Sequence, residues 1–158
     1  MSLDIESLEH AYDKCIAFGN IKEKNEIDYE LIKSLLSVSE KGLQFIKEKS
    51  KNINKDSTDW TFVFRDYYES LRMLIEAYLL FDKVSAENHQ CKNAWLCLKH
   101  PELDLDWEFL ETARLKRNAI NYKGQLLRYE DWNKMKIQFE LHISNLRKEI
   151  EKKLKEQN

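Results

Sequence analysis

Turn-forming residues are nearly missing from this chain: its 158 residues hold three Gly and one Pro. Sandwiches, barrels and glycine-rich phosphate loops need positive φ angles or sharp corners, so the scarcity argues against them and for a few long elements. Cysteine is sparse and odd in number. Cys15, Cys91 and Cys97 contain no CxxC pair and imply no disulfide framework. The apolar runs fall far short of the roughly 18–20 residues of a membrane span. The opening MSLDIESLEH carries acids where a signal peptide needs a cationic segment and an apolar run. A reducing cytoplasm is the expected compartment. An excess of one charge is lacking too, since 26 Lys and Arg against 28 Asp and Glu leave a formal charge of −2. That total alone speaks against nucleic acid as a partner.

What is present is helical periodicity. Trp60, Phe64, Tyr67, Leu71, Leu74, Tyr78 and Phe81 recur at alternating steps of four and three between Asp59 and Asp82. Phe62, Tyr68, Ile75, Leu79 and Leu80 add a second flank, so this helix belongs in the middle of the domain. Residues 28–51 carry neighbouring stripes (Leu31, Leu35, Val38, Phe45 and Ile32, Leu36, Leu43, Ile46), and 131–155 a third (Trp132 to Leu154). Shorter helices are expected over 3–18, stopped by Gly19-Asn20, over 88–99, ended by His100-Pro101, and over 106–122. Asp104 to Asp106 supply the start of that last segment, and Gly124 stands where a left-handed cap is wanted. Trp60, Trp95, Trp107 and Trp132 read as core or dimer anchors. The expected architecture is one domain over 1–158: an all-α, up-and-down bundle of four to five core helices over about 28–155, with residues 1–20 as an N-terminal helix and 49–58 as a polar loop.

Charge is segregated along the chain. Residues 102–111 hold Glu102, Asp104, Asp106, Glu108 and Glu111 and no base; residues 112–128 hold Arg114, Lys116, Arg117, Lys123 and Arg128 and no acid. On a helix Arg114, Arg117 and Asn121 share a face, with Asn118 and Tyr122 as an adjacent pair. Guanidinium forks beside amides at a helix end suit phosphate. Ion pairing of the arginines with nearby carboxylates is the structural alternative.

Arg117-Asn118-Ala119-Ile120-Asn121-Tyr122-Lys123-Gly124 resembles the Arg-Asn signature of HEPN domains. Asp66 to Arg72 with Glu76-Ala77 is similar to that family's second core helix, and Asn88-His89 followed by Cys91-Lys92 and Trp95-Leu96 to its next connection. The resemblance covers roughly residues 28–155. It implies a helical bundle, usually a homodimer, whose Arg-containing motifs face each other. Active members are metal-independent ribonucleases, often toxins or defence effectors paired with a nucleotidyltransferase. In them the RNA 2′-hydroxyl attacks the adjacent phosphodiester while a histidine handles the proton and the arginine stabilises the developing charge. Other members lack the histidine and bind nucleotides or protein partners.

This chain departs at the histidine, since none lies between Arg117 and His142. Asn121 and Tyr122 stand in its place, and neither is a ready proton acceptor near neutrality. Carried over, the resemblance implies Arg117, Tyr122 and Asn121 as catalytic groups, Arg114, Asn118 and Lys123 as phosphate or RNA contacts, and no metal or cofactor. Glu69, Arg72 and His89 stand as supporting groups: Arg65, Glu69 and Arg72 share a helical face that can approach Arg117, and His89 either fixes its connection or joins the site. Two functions stay open, an RNA- or nucleotide-binding protein that is a metal-independent endoribonuclease at a dimer cleft, and a non-catalytic module partnering a nucleotidyltransferase or other effector. His89, Cys91, Cys97 and His100 invite a metal reading, but on a helix His89 and His100 lie about 16 Å apart. Cys91 points roughly opposite them, so zinc ligation is not expected, and Cys91 and Cys97 read as small apolar packing groups.

Overall fold

A computed structural model of the chain describes residues 4–157. Six helices follow in order: α1 (Leu8–Ala17), α2 (Tyr29–Ser50), α3 (Trp60–Phe81), α4 (His89–Lys99), α5 (Trp107–Lys123) and α6 (Tyr129–Glu156). The protein is all-α, with one two-stranded antiparallel ribbon, β1 (Ile21–Glu23) on β2 (Val84–Ala86). A single turn of 3-10 helix at Pro101–Leu103 follows α4, which stops before the proline as expected.

Side-chain caps set most helix starts. Ser7, Asp28, Asn88 and Asp106 each accept a hydrogen bond from the backbone N–H three residues on, satisfying a donor the helix itself leaves free. Gly124 ends α5 at φ 64°, a left-handed conformation that costs glycine little. The N-terminal helix is shorter than its sequence suggests. Ser7 caps it, and of the expected 3–18 span residue 3 lies outside the described residues.

α3 is the central element. Val63, Phe64, Tyr67, Leu71, Leu74, Ile75 and Tyr78 are buried on it, and α2, α4, α5 and α6 all pack against it. An aromatic cluster joins it to α5 and α6: Phe64, Tyr67 and Phe109 all meet Phe139, and Tyr67 meets Trp132 at 4.5 Å between centroids. Ser39 of α2 and Ser70 of α3 exchange hydroxyl-to-carbonyl hydrogen bonds of 3.0 Å, which satisfies two buried polar groups and fixes the register of the pair. Thr61 Oγ1 accepts from the N–H of Leu127 at 2.7 Å and donates to its carbonyl, pinning the α5–α6 connection to the start of α3.

Cysteine use differs from the sequence expectation. Cys15 and Cys91 form a disulfide that ties α1 to α4, and only Cys97 is free. Parity and local spacing say nothing about two cysteines 76 residues apart that helix packing brings together. Cys91 is therefore a cross-link rather than a small apolar filler. Cys97 does pack, and burial with Asp106 and Glu111 nearby pushes its thiol up to about 12.

Candidate functional site

α5 carries its apolar residues, Phe109, Leu110, Ala113 and Ile120, into the core. Its polar flank faces the start of α4, and an open cleft of about 360 Å³ lies between them. Asn88, His89 and Gln90 form one wall and Arg114, Arg117, Asn118 and Tyr122 the other. The first turn of α4 thus aims its backbone N–H groups and the positive end of its dipole at the same space as Arg117.

The two arginines differ. Arg114 lies against Glu111, donating from Nε at 3.0 Å and from Nη2 at 2.8 Å. Glu111 is 1% exposed and also accepts from Gln90 Nε2 at 2.9 Å and Asn93 Nδ2 at 3.3 Å, so this carboxylate binds α4 and α5 together. Arg114 is thus the ion-paired case of the two alternatives. Arg117 stacks its guanidinium over the Tyr68 ring at 5.0 Å, and its Nε is buried with no partner. Burial, the larger effect, raises the Tyr68 hydroxyl pKa, against the pull of Arg117.

His89 begins α4 and faces two spaces. It lines the cleft, and behind it lies a small enclosed cavity of about 10 Å³ shared with Tyr68, Arg72, Lys92 and Asn93. Nδ1 is buried without a partner. Burial, then the charges of Lys92, Arg117 and Arg72, lower the imidazole pKa to about 4, so the ring is neutral near pH 7. Arg72 lies on the far side of that cavity, paired with Glu69 and, at 3.1 Å, with Glu76.

The structure therefore gathers Arg114, Arg117, Asn118, Tyr122 and His89 at one cleft, with Arg72 and Glu69 behind the histidine. Tyr122 is 78% exposed at the rim. Asn121 and Lys123 are exposed and lie outside the lining, and Arg65 stacks on Phe62 instead of approaching Arg117. Sequence reasoning passed over Tyr68, Gln90, Lys92 and Glu111. Tyr68 read as apolar flank and Glu111 as one more acid in a run, although its i, i+3 spacing to Arg114 was a usable signal.

The remaining histidines serve elsewhere. His100 bridges Asp82 at 2.6 Å and Glu102 at 2.8 Å, with Asp82 also accepting from Trp95 Nε1. His142 is buried beside Phe109 with both ring nitrogens unpartnered. Among the described residues no three His, Cys, Asp or Glu side chains converge as metal ligands, and no helix is long and apolar enough to cross a membrane. Compared with known proteins, the chain matches no family model, no curated protein and no solved structure.

Proposed function

We propose that the α4–α5 cleft binds a phosphate of RNA, or of a nucleotide, in the manner of a HEPN-like protein, with Arg117 as the principal contact. The observation that supports this most is an arginine with no carboxylate partner among the described residues, stacked on an aromatic ring at the mouth of a helix N-terminus. A guanidinium in that setting offers its fork to phosphate oxygens, Asn118 adds an amide, and the α4 dipole adds to the attraction. Arg114 contributes less, because Glu111 already neutralises it.

Strand cleavage by the 2′-hydroxyl needs a proton acceptor, which the Arg-Asn motif itself lacks. In this reading His89, neutral at pH 7 and beside Arg117, takes the 2′-hydroxyl proton as the 2′-oxygen bonds phosphorus. The phosphorus–5′-oxygen bond breaks to leave a 2′,3′-cyclic phosphate, solvent protonates the departing 5′-oxygen, and Arg117 stabilises the charge on phosphorus. A bound phosphodiester opposes the effect of Lys92, Arg117 and Arg72 and raises the imidazole pKa toward the working range. Tyr122, exposed at the rim, hydrogen-bonds the ligand and does not carry the proton. The cytoplasmic location expected from the sequence rested on cysteines read as unpaired, and the Cys15–Cys91 disulfide removes that ground.

The test is incubation of mixed RNA with the purified protein in a metal chelator. Degradation abolished by Arg117→Ala and by His89→Ala is expected from the ribonuclease form of this reading. Binding without degradation, lost in Arg117→Ala, supports the binding form. Wild type and Arg117→Ala that are equally inert and bind no RNA would favour the interaction module, a partner for a nucleotidyltransferase or another effector.

A further inference from the structure

The Cys15–Cys91 bond adjoins the cleft as well as joining two helices. Cys91 lies in the first turn of α4, one residue after Gln90 and two after His89, which line the cleft. The other end of the bond holds α1, and little else does. Of the ten residues of α1 only Ala11 and Cys15 are buried, while Ile16 and the C-cap Phe18 are exposed. Its packing is on α4, where Tyr12 meets Trp95 at 6.3 Å between ring centroids.

The segment ahead of α1 runs along the edge of the cleft. Asp4, Ile5 and Glu6 share a space of about 210 Å³ with Gln90, Glu111 and Arg114. Gln90 and Arg114 line the cleft too, so the two spaces adjoin. Gln90 Nε2 donates to Glu6 Oε1 and to Glu111 Oε1, each at 2.9 Å, so two carboxylates converge on one amide group. Lys14 at 3.0 Å and His10 at 3.4 Å offset Glu6 from within the arm. Residues 4–17 nonetheless hold Asp4, Glu6, Glu9 and Asp13 against Lys14. Negative charge at the edge of an anion site opposes the anion.

The arm has a pivot. Gly19, at φ 65°, follows α1, and directly after it β1 pairs with β2 and the Asn20 carbonyl accepts from the N–H of Glu87. The ribbon therefore holds the base of the arm without the disulfide. The cleft wall is held without it as well, because α4 packs on α3 and α5 and Glu111 accepts from Gln90 and Asn93. At the tip, the Glu6 carbonyl accepts from Trp107 Nε1 at 3.0 Å.

We propose that residues 4–17 form a disulfide-latched arm that restrains anion binding at the α4–α5 cleft, and that a dithiol reductant releases it. The inference rests on the reading of that cleft as an anion site. One thiolate of the dithiol attacks a sulfur of the Cys15–Cys91 pair, breaking their bond and forming a mixed disulfide, which the second thiol of the reductant displaces. Two electrons pass to the protein, leaving two protein thiols and the reductant as its own disulfide. Cys15 and Cys91 are 2% and 1% exposed, so attack follows a local opening of α1, whose small buried area keeps that opening shallow. When α1 swings out about Gly19, Asp4 and Glu6 leave the edge of the cleft. Gln90 keeps Glu111 and gains a free N–H for the ligand.

Anisotropy of a labelled single-stranded RNA in chelator tests the latch on three proteins: oxidised wild type, wild type reduced with dithiothreitol, and Cys15→Ser. Binding about fivefold tighter in the second and third than in the first is expected from the loss of two like charges beside the ligand. Asp4→Asn combined with Glu6→Gln should give the same gain while oxidised and gain nothing more on reduction. Hydrogen exchange should quicken in residues 4–17 on reduction and leave α5 protected. Equal or weaker affinity after reduction, with the arm exchanging faster, overturns the latch and leaves the cleft reading standing. An arm that exchanges no faster after reduction overturns it too. Absence of RNA binding in all three proteins is a failure of the cleft reading itself, and the latch falls with it.

Discussion

Arg114 and Arg117 stand one turn apart on the same helix, and their neighbours give them different work. Glu111 takes Arg114 into a buried network, so removing that carboxylate leaves Arg114 and Asn93 without this acceptor and Gln90 with Glu6 alone. Glu111→Ala is expected to destabilise the fold by about 3 kcal/mol, the cost of breaking a buried pair, measurable by urea unfolding. His89 ties stability to pH. Its folded pKa of about 4 lies below the unfolded value near 6.5, so between them the unfolded chain holds the extra proton. The stabilisation is complete above pH 6.5 and is lost as the pH falls toward 4, on the order of 2 kcal/mol after allowance for partial solvent screening. His89→Gln is expected to remove that part of the acid slope. A phosphodiester bound beside the ring raises its pKa, which couples binding to proton uptake. RNA affinity should therefore rise as the pH falls from 7 to 5 in wild type and stay flatter in His89→Gln, read by anisotropy.

Elements were legible where the signal is local. The apolar stripes of α2, α3 and α6, the caps at Asp106 and Gly124 and the stop at His100-Pro101 all lie within a few residues of what they control. The β1–β2 ribbon and the Cys15–Cys91 bond were not legible, because each joins segments more than 60 residues apart and the partner is fixed only by packing. The same holds for the site. The α5 residues can be read from their spacing, whereas the arrival of His89 beside Arg117 depends on how α4 packs on α5. The disulfide gives α1 its distinctive behaviour. Beyond it, α1 and the segment before it hold to the body through α4 packing and through Glu6, which accepts from Gln90 Nε2 and from Trp107 Nε1. Reduction by a dithiol, or Cys15→Ser, is expected to lower stability by roughly 4 kcal/mol for a loop of this length. Hydrogen exchange should quicken first in residues 8–17 and leave α3 protected, a pattern readable by mass spectrometry.

For the whole molecule, the formal charge of −2 conceals a division of labour. Acids and bases largely cancel, and Arg117 faces an open cleft on one side of α3, while α2 exposes Leu31, Val38 and Phe45 on the other. Recognition by such a protein is local rather than long-range, so the salt dependence of RNA binding should be shallow, near the ~0.7 per phosphate contact of single strands. The most direct test titrates a labelled single-stranded RNA with wild type and Arg117→Ala in chelator at several salt concentrations. The account predicts saturable, salt-sensitive binding by wild type and a loss of at least ~10-fold in Arg117→Ala, as expected for a charge-assisted contact. Equal affinities for the two proteins, or no binding by wild type, would contradict it.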